Sequence, residues 1–254
     1  MIKLPEIKTE NDLFIFLLHI IQERFMENAI LKGGMVLRLL GSTRKTLDLD
    51  YVFVPFKFKN EILQHVKVLF SEIEGITYRV TINSKAIRVN IEVGKLRSQI
   101  EINVAKELKT DVISTANLKE VTNSTSPRII KIMSLDIALS DKLAAWNERR
   151  LLRDLYDIYY FLEVQNIIPD KKTLLNRLSN IQSKKPGLKK IKKVTLNEFI
   201  ESLMKEVEAL DQGKLEDELQ GILDKTELIG LAYKIKDTLK RSIVKIDLLK
   251  WNAN

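Results

Sequence analysis

Asp48-Leu49-Asp50, followed by Tyr51-Val52-Phe53-Val54, restricts what this chain can fold into more than any other stretch. The tail is apolar and partly β-branched, which is strand chemistry. In a strand, residues two apart project from the same face. Asp48 and Asp50 therefore point together, and Leu49 and Tyr51 point the other way. Two carboxylates held side by side repel and raise one another's pKa. A divalent cation removes that penalty, and hard oxygen donors suit Mg2+ or Mn2+. Taken alone, Asp-x-Asp reads as a turn entering an edge strand with two solvated acids.

The residues upstream shift that balance. Lys32-Gly33-Gly34 follows a short strand over 29–32, and thirteen residues separate Gly34 from Asp48. Residues 35–40 read as a short helix. Strand, Gly-Gly, helix and carboxylate strand in that order bring backbone N–H groups and a helix start toward phosphates. Lys32 is placed to pair with a phosphate or with a nearby acid.

Gly33-Gly34, the thirteen-residue gap and Asp48-Leu49-Asp50-Tyr51 together resemble the signature of the DNA-polymerase-beta-like nucleotidyltransferase superfamily. Gly41-Ser42-x-x-x-Thr46-x-Asp48-x-Asp50 is similar to the first motif of the AbiEii/AbiGii toxin nucleotidyltransferases. Further on, Lys142-x-x-Ala145-x-x-x-Arg149-x-x-x-Arg153-Asp154-x-x-Asp157 resembles the third motif of the same family, position by position. The resemblance covers roughly residues 29–164 and thins beyond.

The remaining pattern sets the frame. A helix is expected over 9–28, capped by Thr9 or Asn11, and another over 59–74. Three strand-like runs follow, 76–83, 85–93 and 96–105, with turn signals at Asn83-Ser84 and Gly94-Lys95. In the last run Ile100, Ile102 and Val104 share one face, and Glu101 lies on the other with Gln99 and Asn103. A third acid from a neighbouring strand would complete a two-metal site. Glu101 stands where the superfamily places that acid, and Glu92 is the rival. Residues 106–127 read as polar loops with strand fragments, and 128–132 as a last strand. From Ser134 onward the chain is helical, with later helices expected over 171–183, 196–210, 215–225 and 227–251.

The fold expected is α+β: a mixed β-sheet nucleotidyltransferase domain flanked by helices (1–133), then an all-helical domain (134–254) carrying the Lys142–Asp157 motif. If one helix ran through that motif, Lys142, Arg149 and Arg153 would share a face. Asp154 and Asp157 share one in any case. Without the resemblance, these residues read as an ion-pair network between two helices.

Composition excludes other chemistries. With 254 residues and 45% hydrophobic content, a sizeable core forms. There is no cysteine, hence no disulfide scaffold and no thiolate metal site. The two histidines, His19 and His65, have no sequence partners, so histidine-based catalysis is not expected. No signal-peptide pattern and no apolar run of membrane-spanning length occur, and a cytoplasmic location is expected. The net charge of +8 favours a polyanionic partner. Six lysines fall within residues 184–193, an expected exposed basic loop and phosphate-backbone contact.

What the resemblance implies is a metal-dependent nucleotidyltransferase toxin that transfers NMP from an NTP to an acceptor, with the tRNA 3′ end suggested by relatives. Mg2+ or Mn2+ would be held by Asp48, Asp50 and Glu101. Lys32, Gly33, Gly34, Ser42, Arg44, Thr46, Arg149 and Arg153 would face the nucleotide phosphates. Lys142 and Asp157 would serve the reaction, Lys142 at the phosphates. Expected partners are NTP, RNA and a cognate antitoxin protein, with no membrane and no DNA. Two alternatives stand beside this: a non-catalytic nucleotide- or RNA-binding module, and a kinase-like activity on the same scaffold.

Overall fold

A computed structural model of the chain describes residues 1–46, 48–118 and 127–248. It divides into two compact units, Met1–Ser134 and Leu135–Asn254. The first is a mixed β-sheet flanked by helices and the second is all-helical.

The first unit opens with α1 (Glu10–Arg24). Thr9 caps it by accepting from Asp12 N at 3.1 Å, and the Asp12 carboxylate takes Thr9 N at 2.8 Å. This reciprocal box fixes the helix start at Glu10. Then come β1 (Ala29–Lys32), α2 (Gly34–Leu39), β2 (Asp48–Phe53), α3 (Asn60–Ser71), β3 (Thr77–Ile82), β4 (Ile87–Val93), β5 (Leu96–Val104), β6 (Thr110–Ser114) and β7 (Ile129–Met133). Their order in the sheet is β3-β4-β5-β2-β1-β7-β6. β2 runs parallel to β5 and β1 parallel to β7; every other pairing is antiparallel.

Alternation along the central strands sorts side chains by face. Leu49, Tyr51 and Phe53 of β2, Ile87, Val89 and Ile91 of β4, and Ile100 and Ile102 of β5 are all buried. α1 packs on β5. Phe25, just past α1, meets Phe53 at 5.0 Å, and Phe70 of α3 meets Tyr78 of β3 at 6.0 Å. Burying each such side chain contributes about 1.5–3 kcal/mol. The opposite face carries Asp48, Asp50, Gln99 and Glu101, none of them buried.

His19 sits inside α1, buried among the apolar residues expected to surround it. Burial and the nearby Arg128 guanidinium hold its pKa below the usual histidine value, with Glu23 opposing. The unfolded chain therefore binds the proton more readily than the folded one. The stabilisation is complete above the unfolded value of about 6.5 and is lost as pH falls below it.

The second unit contains α4 (Leu135–Arg149), α5 (Leu152–Tyr159) running into a π turn (Tyr160–Val164), α6 (Lys171–Leu178), α7 (Leu196–Glu208), α8 (Gln212–Leu219), α9 (Lys225–Leu228) and α10 (Leu231–Leu248). α10 packs on α5, α7 and α8. Trp146 meets Phe199 edge-on at 6.1 Å, and Arg150 lies over the Trp146 ring at 4.2 Å. Three expected helices differ in extent: the one expected over 227–251 begins only at Leu231, after Gly230 takes φ 63° and parts it from α9. The one expected over 171–183 stops at Leu178. The one expected over 215–225 begins earlier, at Gln212, because Asp211 caps it through Lys214 N at 2.9 Å, and ends at Leu219. The expected end of the last helix, beyond residue 248, lies outside the described residues. No described helix is long and apolar enough to cross a membrane.

His19→Leu should flatten the acid side of the stability profile. Between about pH 7.5 and about pH 5.5, the parent's melting temperature should fall more steeply than the variant's. Parallel slopes in thermal denaturation would show that His19 carries no such linkage.

Candidate active site

Three segments converge where β1 ends. Gly33, with φ 78° and ψ −154°, occupies backbone space almost reserved for glycine. A Cβ built on it would stand 2.3 Å from Asp50 Oδ2. A Cβ on Gly34 would stand 2.3 Å from Arg44 Nη1 and 3.0 Å from Thr46 Oγ1. The missing side chains are thus what let the diglycine, the loop after α2 and the carboxylate strand share one place. Lys32 is in register with Asp50 across β1 and β2.

The loop is folded by its own polar groups. Ser42 N donates to Leu37 O, and Ser42 Oγ accepts Arg44 N–H at 3.1 Å. Thr46 Oγ1 donates to the carbonyl of Asp48 at 3.3 Å. Ser42 and Arg44 are buried, so this part of the phosphate set expected from sequence lines the interior of the loop.

Strand register arranges the acids. Asp50 is paired with Glu101, and Asp48 with Gln99. Asp48, Asp50 and Glu101 therefore lie on one face of two neighbouring strands. Glu92 pairs with Arg97 in register and by an ion pair at 3.3 Å, beyond the Asp48–Gln99 rung. Glu101, not Glu92, is the acid beside Asp50. Behind the strand, burial pushes the Tyr51 phenol well above its ordinary pKa.

Glu101 is already engaged. Arg88 of β4 donates to Glu101 Oε1 from Nε at 2.9 Å and also from Nη2, and Gln99 Nε2 reaches the same oxygen at 3.3 Å. Among the described residues, no three His, Cys, Asp or Glu side chains stand close enough to hold a metal ion as placed. The donor chemistry suits a hard divalent cation, and the register puts three carboxylates on adjacent positions. Glu101 would join through its second oxygen or by exchanging Arg88 for the cation.

Arg88 did not emerge from the motif pattern. The signal was present in the turn at Gly94-Lys95: β4 and β5 pair outward from Val93 and Leu96, and five steps along each strand bring Arg88 opposite Glu101.

In the helical unit the motif is folded as ion pairs. Lys142 Nζ meets Asp157 Oδ2 at 2.5 Å, and Asp157 is fully buried. Arg149 holds Asp154 with two bonds, Nη2–Oδ1 at 2.6 Å and Nε–Oδ2 at 3.1 Å. The chain does not continue as one helix through the motif. Arg150 takes φ 56°, α4 ends at Arg149 and α5 begins at Leu152. Lys142 and Arg149 thus lie on one helix and Arg153 on the next, so the three do not form a single helical stripe. Arg153 is exposed.

This arrangement is a nucleotidyltransferase-type fold. The whole-chain architecture resembles that of a candidate nucleotidyltransferase from Helicobacter pylori, with a TM-score of 0.52 at 14% identity over 98% of this chain and 100% of that one. JHP933 from Helicobacter pylori aligns with a TM-score of 0.49 at 16% identity over 96% of this chain and 100% of that one. MenT4, a nucleotidyltransferase toxin of Mycobacterium tuberculosis H37Rv, aligns at 0.45 and 15% identity, over 91% and 92%. No curated protein sequence matches the chain. Residues 15–239 match the family described as "Nucleotidyl transferase AbiEii toxin, Type IV TA system", and the chain belongs to that family.

Gly33→Ala should displace Asp50 and cost about 1–3 kcal/mol, read from the midpoint of chemical denaturation. A variant as stable as the parent would mean that the close approach at Asp50 is not enforced. Asp157→Ala should cost about 3 kcal/mol by leaving the Lys142 ammonium unpaired in a largely buried position. The double variant Lys142→Met/Asp157→Leu should recover most of that loss. Equal losses in single and double variants would assign the cost to packing instead.

Proposed function

We propose that this chain transfers an NMP group from an NTP to an acceptor hydroxyl, acting as the toxin of a toxin–antitoxin pair. The acceptor we favour is RNA, with the tRNA 3′ end as the leading case. The observation that carries the reading is the meeting of Asp50 with Gly33 on the rung that also holds Glu101.

Asp48, Asp50 and Glu101 are the proposed ligands for Mg2+ or Mn2+. When bound, such ions lower the pKa of the attacking hydroxyl and neutralise the leaving pyrophosphate. The chain's own residues supply position. Gly33 and Gly34 let phosphate oxygens approach backbone N–H groups without a Cβ in the way. α2 is only six residues long, so that approach rests on the two glycines rather than on a helix terminus. Lys32 and Thr46 flank the same point and fix the triphosphate, with the Arg44 guanidinium buried against Gly34. In the transfer, the acceptor oxygen bonds to the α-phosphorus, the bond to pyrophosphate breaks, and the hydroxyl proton passes to solvent. For Lys142, Arg149 and Arg153 the proposed role is charge toward phosphates, and for Asp157 it is to hold Lys142.

The engagement of Glu101 by Arg88 favours one second reading, a nucleotide- or RNA-binding module without turnover. The two separate experimentally. Asp48→Ala and Asp50→Ala should each reduce labelling of an RNA or protein acceptor from labelled NTP by at least about 100-fold, the scale for loss of a preorganised charge partner. Mass spectrometry of the labelled acceptor should show a nucleotide adduct; a bare phosphate would indicate kinase chemistry. Parent-level transfer by both variants would overturn the metal assignment. Binding of NTP without transfer to any acceptor would establish the second reading.

A further inference from the structure

Six lysines, Lys184, Lys185, Lys189, Lys190, Lys192 and Lys193, occupy the connection between α6 and α7, and all six are exposed. None of them enters an ion pair among the described residues. A run of like charge of this density is ordinarily left to spread in solvent. Here it is pinned. Ile181 N donates to Lys192 O at 2.9 Å and Val194 N to Leu178 O at 3.0 Å, closing the loop at its base. Leu188 N reaches Lys185 O at 2.9 Å and Ile191 N reaches Leu188 O at 3.0 Å, coiling its middle. Ile181 is buried, and Ser183 Oγ and Gln182 N bind Glu148 at the end of α4, at 2.6 Å and 3.2 Å. Arg177 pairs with Asp141 at 2.6 Å and with Glu148 at 3.4 Å, bracing α6 against the same helix. The lysines are therefore held at the end of the helix that carries Lys142 and Arg149.

We infer that this loop binds the phosphodiester backbone of the acceptor RNA, without reading its sequence. The inference rests on the reading of the acceptor as RNA. Residues 184–193 contain no aromatic ring to stack on a base and no arginine to grip a carboxylate with two bonds. Lysine ammoniums are point charges that suit phosphates along a strand. An acidic protein would need an apolar or aromatic centre to its interface, and a membrane would need apolar residues to insert. The loop offers only two apolar side chains, half-buried Leu188 and exposed Ile191, too few for either.

The test uses the full chain, a fluorescent RNA hairpin with a single-stranded 3′ tail, no NTP and no divalent cation. Binding anisotropy is measured over a salt series for the parent, for a variant with all six lysines changed to glutamine, and for one with all six changed to arginine. If all six engage, the glutamine variant should lose about 4–5 from the slope of log affinity against log salt, and at least about 10-fold in affinity at moderate salt. The arginine variant should bind like the parent. Thermal melting should be unchanged, because the side chains are exposed. Unchanged affinity and slope in the glutamine variant overturns the inference. So does poly-glutamate, or anionic lipid vesicles, binding the parent as tightly as RNA and losing binding equally in that variant. Because neither NTP nor divalent cation is present, this readout does not depend on transfer. Failure of the transfer reading and failure of this one are thereby separated.

Discussion

The close approach of Gly33 to the Asp50 carboxylate is the constraint around which the first unit is arranged. An added Cβ would sit at 2.3 Å from Asp50 Oδ2, so the carboxylate would have to move, and φ 78° would strain any other residue there. Everything nearby follows from keeping that space empty. β1 must stop at Lys32, the chain must take a glycine-only conformation, and α2 must begin at once. The loop after α2 then returns Arg44 and Thr46 to Gly34, and β2 enters the sheet between β1 and β5. The sheet does the remaining alignment through the parallel pairing of β2 with β5, which sets Asp50 beside Glu101.

Much of this was legible in the residues. Period-two alternation assigned Asp48 and Asp50 to one face and Leu49 and Tyr51 to the other, and it separated Glu101 from Ile100 and Ile102, because a half-covered sheet must sort its side chains this way. The turn at Gly94-Lys95 marked the hairpin. What alternation cannot convey is who stands opposite whom across strands distant in sequence. The neighbour of Glu101 on one side is Asp50, about fifty residues upstream, and that pairing depends on how the whole sheet closes. The neighbour on the other side, Arg88, belongs to a hairpin and was countable from the turn. Burial of Ser42 and Arg44 was hidden for a related reason: a polar loop that turns its groups inward reads in sequence like one that displays them.

The helical motif shows a different limit. Lys142, Arg149 and Arg153 have the spacing of one helical face only while the helix lasts. Arg150 adopts a left-handed conformation and divides the motif between two helices. The same break lets Arg149 turn onto Asp154 and Lys142 onto Asp157, so the charges compensate each other within the unit. Buried pairs of this kind are weak as sources of stability but costly to disrupt. Their structural duty is therefore present whatever chemistry they also serve.

Arg88 has one further consequence. By answering Glu101 with a guanidinium from the adjacent strand, the sheet carries its own counter-ion beside the acid row. Glu101 is thus already compensated within the sheet, so this part of the native architecture does not wait on an outside partner. On the proposed reading of the acids as metal ligands, folding and loading would be uncoupled, and the chain would persist intact where divalent ions are scarce.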